Sequence, residues 1–291
     1  MTARTGNGAA HYRRRVPLTA LALALALAAA FVHALWNLLL ARARDIEAAT
    51  AVALVVAVAA FAFPAAAFWH VDGRVWPYVV GSAAFELVYF AVLATAYRRA
   101  EFSVVYPIAR GSAPVLVLLV AVAGLRASTS WQQAAGVALV AGGIVFVGGF
   151  QQGMKRGGVA FGLTIGSCIA GYTLIDKYGI RYATPVSYLE LSMTPPAIAY
   201  AAAVARGKGL AALRAETNPA AVVAGLATFG AYALVLAALE RAPAASVAAV
   251  RETSVVIAIA LVGVFLKERV GWARMAGAAV IAAGIGLVSL G

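Results

Sequence analysis

The chain of 291 residues is 64% hydrophobic and 12% charged, with a mean hydropathy of +0.90. Soluble domains are about 45–50% apolar and about 25% charged, so the composition excludes a soluble protein and indicates an integral membrane protein. The net charge of +12 would suggest a nucleic-acid partner in a soluble chain. Here lysine and arginine lie between apolar segments, where they anchor helices to lipid headgroups. We therefore expect the lipid bilayer as a partner and no nucleic acid.

Apolar stretches of membrane length follow one another along the chain. A hydrocarbon core about 30 Å thick requires roughly 20 apolar residues per helix. The pattern predicts an all-α integral membrane protein with ten transmembrane helices, segments 1 to 10, at 17–40, 48–69, 75–97, 103–125, 130–149, 157–177, 185–205, 218–240, 245–266 and 271–290. Residues 1–16 are predicted to be a basic tail. A cleaved secretory signal fits less well, because the first apolar run continues to Leu40.

The second half of the sequence repeats the first. At an offset of 141 positions, Arg110, Leu125, Trp131, Gly136, Gly143 and Ile144 recur as Arg251, Leu266, Trp272, Gly277, Gly284 and Ile285. The repeat predicts two five-helix domains, 17–150 and 151–291. An odd number of spans in each copy inverts the second copy relative to the first. Inverted repeats are typical of secondary transporters, which open one central site alternately to either side of the membrane.

Polar residues inside the membrane begin in segment 1. His33 and Asn37 are four residues apart and therefore share a helix face, with Trp36 beside them. Segment 3 carries Glu86 at its midpoint and Tyr89 three residues later. An ionisable group at membrane depth costs about 2.5–3.5 kcal/mol, so Glu86 requires a partner or a water-filled cavity. It is a candidate site for coupling transport to protons.

Segment 4 carries Tyr106 and Arg110, with Pro107 and Pro114 on either side of the arginine. Each proline removes a backbone donor, which predicts a broken helix, and broken helices mark binding sites in transporters. The planar guanidinium of Arg110 suits a substrate carboxylate, phosphate or phosphonate, because it can donate two parallel hydrogen bonds.

Segments 5 and 10 carry matching glycine pairs. Gly136 and Gly143 are one heptad apart, and Gly277 and Gly284 repeat the spacing. Small residues let membrane helices approach closely, so the pattern predicts packing surfaces rather than a binding site.

The second half carries polar positions related to those of the first. They are Tyr172 and Asp176 in segment 6, Thr228 and Tyr232 in segment 8, and Arg251 and Glu252 in segment 9. The tyrosines could form an aromatic lining for an amphipathic solute, and Thr228 is the repeat counterpart of Glu86. We count all of these, with the residues of segments 1, 3 and 4, as candidate substrate-binding residues.

Two interpretations of the paired arginines are open. Arg110 and Arg251 could form ion pairs with Glu86 and Glu252 that join the helices, or at least one of them could bind the substrate. The two are compatible if a substrate displaces the internal partner. We expect Arg110 to contribute more to transport than Arg251, because prolines flank only Arg110.

Three stretches carry a family resemblance: FVHALWNLLLARARD at the end of segment 1, VVYPIARGSAPVLVLL in segment 4, and SVAAVRETSVVIAIALVGVFLKERVGWARMAGAAVIAAGIG across segments 9 and 10. They resemble EamA-type members of the drug/metabolite transporter superfamily, over essentially the whole chain. The resemblance implies a ten-helix bundle with cytoplasmic termini, a central cavity lined mainly by segments 1, 3, 4, 6, 8 and 9, and export or exchange of small metabolites. One departure is that the first copy has no counterpart of Glu268 in its turn at Leu125–Ser128. That argues against a symmetric gating role for this turn.

We therefore predict a secondary transporter of small polar or amphipathic metabolites, such as amino acids or other carboxylates, in the bacterial inner membrane. The sequence has no G-x-x-x-x-G-K-[ST] phosphate-binding motif. One alternative is a translocase for a lipid-linked or phosphonate-type substrate. A membrane-embedded enzyme is another, but H-E-x-x-H is absent, so we predict no catalytic residues, no cofactor and no metal. Monomer and homodimer both remain open.

Overall fold

The computed structural model describes residues 18–40, 42–100, 102–148, 156–265 and 272–290. The predicted basic tail at residues 1–16 and the turn at Leu266–Arg269 lie outside the described residues.

Within this part of the chain the structure is helical. The helices are α1 (Ala20–Leu40), α2 (Ile46–Ala67), α3 (Trp76–Arg99), α4 (Phe102–Leu119), α5 (Trp131–Gly148), α6 (Arg156–Gly179), α7 (Pro185–Lys208), α8 (Leu210–Ala215), α9 (Pro219–Arg241), α10 (Ala244–Arg251), α11 (Thr253–Phe265) and α12 (Trp272–Leu290). Segments 1 to 7 correspond to α1 to α7, segment 8 to α9, segment 9 to α10 with α11, and segment 10 to α12. The all-α prediction is confirmed for the described residues.

Six of these helices are long and apolar enough to cross a membrane: α1, α2, α3, α4, α6 and α9. Two more, α5 and α12, contain shorter apolar stretches, Trp131–Phe146 and Met275–Leu290. The protein is therefore a multi-pass integral membrane protein, and the count of ten spans stays a prediction.

Capping residues in the sequence determine where several helices begin. Asp45 accepts a hydrogen bond from the backbone N–H of Ala48 at the start of α2, at 3.1 Å. Thr184 and Asn218 cap α7 and α9 in the same way, and each is followed by a proline at the first helical position. Side-chain acceptors satisfy the free N–H groups of a first turn, and proline there loses no helical hydrogen bond.

The glycine pairs of α5 and α12 bring these two helices into close antiparallel contact. A Cβ atom at Gly136 would lie 2.6 Å from the carbonyl oxygen of Gly284, and one at Gly143 would lie 2.9 Å from that of Gly277. The packing role predicted for these glycines is confirmed. The last helices of the two copies thus run in opposite directions.

We expect Gly136→Ala to destabilise the protein by about 1–3 kcal/mol, because the added methyl group must separate two packed backbones. Gly142→Ala, on the same helix, is the matched control, since a Cβ atom there meets nothing within 4 Å. Thermal unfolding in one detergent compares the two variants. Equal melting temperatures would contradict the packing role.

A lysine marks each end of the bundle. At the Lys177 end, α6 finishes beside the end of α9, since the Lys177 ammonium donates to the carbonyl of Ala242 at 2.9 Å. At the Lys208 end, the ammonium of Lys208 contacts Asp45 and Glu47 at the start of α2, each at 2.7 Å.

The helix break lies in a different place from the predicted one. Helix α4 continues through Pro107 and Pro114 and ends in a π-helical turn at Val120–Gly124. It packs on α6 through Gly162, where a Cβ atom would lie 2.8 Å from Ile108, and neighbouring helices can hold a proline-containing membrane helix together. Segment 9 is the one that divides, at Glu252, into α10 and α11.

Candidate functional site

One cavity collects most of the predicted polar residues. Eight of the thirteen candidates line it: His33, Trp36, Glu86, Tyr89, Tyr172, Thr228, Tyr232 and Arg251. The lining comes from α1, α2, α3, α6, α7, α9 and α10 and encloses about 100 Å³ of free space. The cavity is therefore smaller than a typical small-molecule site, which measures about 300–1,000 Å³.

The cavity contains one carboxyl group and one guanidinium. Glu86 of α3 is 5% exposed, and Arg251 ends α10 with a half-buried side chain. Neither side chain forms a hydrogen bond or an ion pair within 4.0 Å to another described residue. The two groups act on each other electrostatically across the site. A solute with charges of both signs could therefore pair its positive charge with Glu86 and its negative charge with Arg251.

Aromatic rings form much of the remaining wall. His33 and Trp36 meet edge to face at 5.0 Å between ring centroids. Tyr172 meets Tyr89 at 6.4 Å and Tyr232 at 5.9 Å in the same geometry. The Nε1 atom of Trp36 is buried and has no hydrogen-bond acceptor among the described residues. Such a wall packs against apolar groups and still offers a donor for a polar atom.

Arg110 does not line the cavity. Its Nε lies 2.9 Å from Glu252 Oε2, an ion-pair distance without hydrogen-bond alignment. Its Nη2 donates to Ser254 Oγ at 2.8 Å. Both charged residues are buried, so Arg110 holds the two sides of the α10–α11 break. In this structure Arg110 therefore forms the internal pair, with Glu252 as its partner.

Tyr106 accompanies this pair outside the cavity. It lies on α4 within electrostatic range of Arg110 and Glu252. These three candidates therefore form one cluster, and none of them lines the cavity.

Asp176 also lies behind the cavity wall. It is fully buried, accepts a hydrogen bond from Tyr188 at 2.8 Å and accepts another from Tyr232. Tyr232 reaches it from α9, Tyr188 from α7. Asn37 donates to the backbone carbonyl of His33 at 2.8 Å and does not line the cavity. Asp176 thus bonds two tyrosines of neighbouring helices, whereas Asn37 bonds the backbone of its own helix.

Two helices of the lining were missing from the expected set. Thr50, Ala53 and Leu54 of α2 and Met193 of α7 contribute to the wall, whereas α4 contributes no described residue. The implied lining by segments 1, 3, 4, 6, 8 and 9 is therefore corrected at segments 2, 4 and 7. A small polar residue such as Thr50 within an apolar segment was the one available signal.

The cavity extends toward the Lys208 end, where Leu40 and Thr50 line it. The contacts at this end are charged and partly exposed. The Lys208 ammonium donates to Asp45 and holds the pKa of that carboxyl below its usual value. The backbone N–H of Asp45 also donates to Glu216 Oε1 at 3.0 Å.

The Lys177 end is joined by backbone contacts between the two halves. Asp72 donates to the carbonyl of Tyr182 at 2.7 Å, and Thr184 donates to that of His70 at 3.1 Å. Residues 71 and 183 form an isolated antiparallel bridge. The contacts between the two halves therefore differ, with backbone pairing at the Lys177 end and side-chain ion pairs at the Lys208 end.

The fold and the sequence both have counterparts among known proteins. One solved crystal structure superposes with a TM-score of 0.68 at 16% sequence identity, over 93% of this chain and 96% of the other. At that identity the likeness shows the fold alone. A search of curated proteins gives no match. The EamA-like transporter family matches twice, at residues 20–149 and 156–290, and the chain therefore belongs to the EamA-like transporter family.

Proposed function

We propose that this membrane transporter exports or exchanges small amphipathic metabolites that carry a carboxylate, with amino acids as the leading class. The observation that carries the proposal is the presence of Glu86 and Arg251, without internal ion pairs to described residues, in the wall of one cavity. A guanidinium binds a carboxylate through two parallel hydrogen bonds. Glu86 would bind the ammonium group, and the tyrosines would contact the apolar part of the solute.

Alternating access is the proposed mechanism, in a bacterial inner membrane. The sequence repeat and the antiparallel contact of α5 with α12 support an inverted arrangement of the two copies. The lining that reaches Leu40, together with the hydrogen bonds at the Lys177 end, supports a state that opens toward the Lys208 end. The solute would leave or enter at the Lys177 end after those contacts open.

Proton coupling through Glu86 is part of the same proposal. The charged groups that act on Glu86 are Asp176 and Arg251. Binding of a substrate carboxylate by Arg251 would weaken the electrostatic stabilisation that Arg251 gives to the ionised Glu86 side chain. Protonation of Glu86 and solute binding would then be linked.

Uptake into proteoliposomes tests the substrate class. Phenylalanine is compared with phenethylamine, which lacks the carboxylate, and with 3-phenylpropionate, which lacks the amine. A site that loses one buried charge pair loses about 2 kcal/mol or more, so we expect each analogue to be transported at least roughly 30-fold less efficiently in kcat/KM. The proposal would be contradicted if all three compounds were transported equally. It would also be contradicted if no member of a wider panel of amino acids were transported.

Sided labelling tests the arrangement of spans. Single cysteines replace Arg74 and Arg206 in a Cys168→Ser background, after two and seven predicted spans. We expect an impermeant thiol reagent to reach the two positions from opposite faces of the membrane. Labelling of both from one face would refute the predicted span count and the inversion.

A further inference from the structure

A second pocket lies at the Lys177 end, outside the cavity described above. Its polar lining consists of Ser128, Thr129, Gln133, Lys177, Tyr178 and Arg181. No acidic side chain lines it among the described residues. Glu240 acts on Lys177 electrostatically but forms an ion pair with Arg241 and does not line the pocket. The lining is therefore cationic.

Several donors in this pocket have capacity left for a ligand. The Lys177 ammonium donates to the carbonyls of Leu239 and Ala242, and an ammonium has three protons. Gln133 is 6% exposed, and its Oε1 accepts from Thr129 and from the N–H of Ser130. Its amide nitrogen has no hydrogen-bond acceptor among the described residues. Gln133 thus adds an unpartnered amide donor to the lining of a cationic pocket, and such a lining suits an anion.

The surroundings of these donors favour the same ligand. The guanidinium of Arg181 lies 4.8 Å above the ring of Tyr178, which also lines the pocket. Helix α10 begins at Ala244 in the pocket wall and has no side-chain cap at its N-terminus. The N–H groups of a first helical turn attract anions.

An apolar groove continues from this pocket into the membrane. It is lined mainly by apolar residues of α3, α4 and α6, and it shares Leu125, Leu174 and Tyr178 with the cationic pocket. Along α6 the groove runs from Ser167 to Tyr178. At 1.5 Å per residue this is roughly 16 Å, close to half of a hydrocarbon core about 30 Å thick.

We propose that the pocket and the groove together bind one anionic phospholipid from the leaflet at the Lys177 end. The phosphate would lie between Lys177, Arg181 and the Gln133 amide, and an acyl chain would follow the groove along α6. A soluble anion would use the donors but would leave the groove empty. The continuity of the two surfaces is what favours a lipid.

Lipid retention by the purified full-length protein tests this site. The protein is delipidated in detergent, incubated with equal amounts of dioleoyl phosphatidylglycerol and dioleoyl phosphatidylcholine, and analysed by native mass spectrometry. We expect preferential retention of phosphatidylglycerol. Arg181→Gln should weaken this preference about five-fold, since one basic residue near a membrane surface contributes about 1 kcal/mol. Arg206→Gln, an exposed arginine at the other end, is the matched control and should change nothing.

The groove is tested separately. Ser167→Trp should fill it and reduce phosphatidylglycerol retention, whereas Thr164→Trp, on the same helix but outside the groove, should not. Equal retention of the two lipids, or equal losses from Arg181→Gln and Arg206→Gln, would overturn the proposal. So would displacement of phosphatidylglycerol by glycerol 3-phosphate combined with no effect of Ser167→Trp, because the site would then bind a free anion. Melting temperatures near that of the wild type verify that the variants are folded.

Discussion

Replacing Arg251 by glutamine is expected to raise the KM for a transported amino acid at least roughly 30-fold while the protein stays folded. The guanidinium lines the cavity without an internal ion pair to a described residue, so its loss removes a contact to the solute. Truncating one member of a buried charge pair costs about 2–5 kcal/mol. A cost of about 2 kcal/mol corresponds to a change of roughly 30-fold in KM. Initial rates in proteoliposomes, at equal protein density, give the KM.

Arg110→Gln is the matched comparison at the equivalent position of the first copy. It leaves Glu252 buried without its ion-pair partner, a loss that costs about 3–5 kcal/mol of stability. We expect a lowered melting temperature, and partial recovery when Glu252→Gln removes the orphaned charge. We therefore expect Arg251 to contribute more to transport than Arg110, which reverses the order expected from the flanking prolines. An Arg110 variant with a wild-type melting temperature and a raised KM would restore the original ranking.

Replacing Glu86 by glutamine is expected to change the pH dependence of transport. Glutamine keeps the shape of the protonated acid but cannot titrate, so flux that depends on protonation of this residue should lose that dependence on pH. Binding of the solute ammonium should weaken by about 2 kcal/mol or more. The measurement is uptake with and without an imposed pH gradient, from acid to alkaline external pH.

Thr228→Val serves as the control for Glu86→Gln, because Thr228 lines the cavity without carrying a charge. It should shift KM modestly and leave the pH profile intact. A Glu86→Gln variant that keeps the wild-type pH profile would contradict the coupling role.

Among the cavity residues, those whose burial in a membrane carries a free-energy cost could be predicted from the sequence. Glu86 and Arg251 are ionisable groups within apolar segments, and such groups need a partner or water. Tyr172 was found because it shares a helix face with Asp176 at four-residue spacing. For Asp176 the same face pattern did not tell a lining residue from one behind the wall, because Tyr232 lies between it and the cavity.

Other features depended on contacts between distant parts of the chain. Arg110 and Arg251 occupy equivalent positions in the repeat, and the break at Glu252 separates their roles. That break coincides with contacts from α4, which no local pattern encodes. Ala53, Leu54 and Met193 have the same character as lipid-facing residues, so their place in the cavity wall could not be read from apolar segments alone.

The central claim is that the transported solute occupies the cavity between Glu86 and Arg251. A cysteine at Thr228, in a Cys168→Ser background, places a thiol in that wall. A cysteine at Thr217 is the control, since this threonine also bonds the carbonyl four residues earlier but is exposed and lies outside the cavity. The measurement is the alkylation rate of each thiol with and without a saturating amino acid.

We predict that a transported amino acid slows alkylation of the Thr228→Cys thiol and leaves the Thr217→Cys thiol unaffected. The amine-only and acid-only analogues should protect less, because each satisfies one of the two charges. Equal alkylation of Thr228→Cys with and without solute, at a concentration that saturates transport, would contradict the claim.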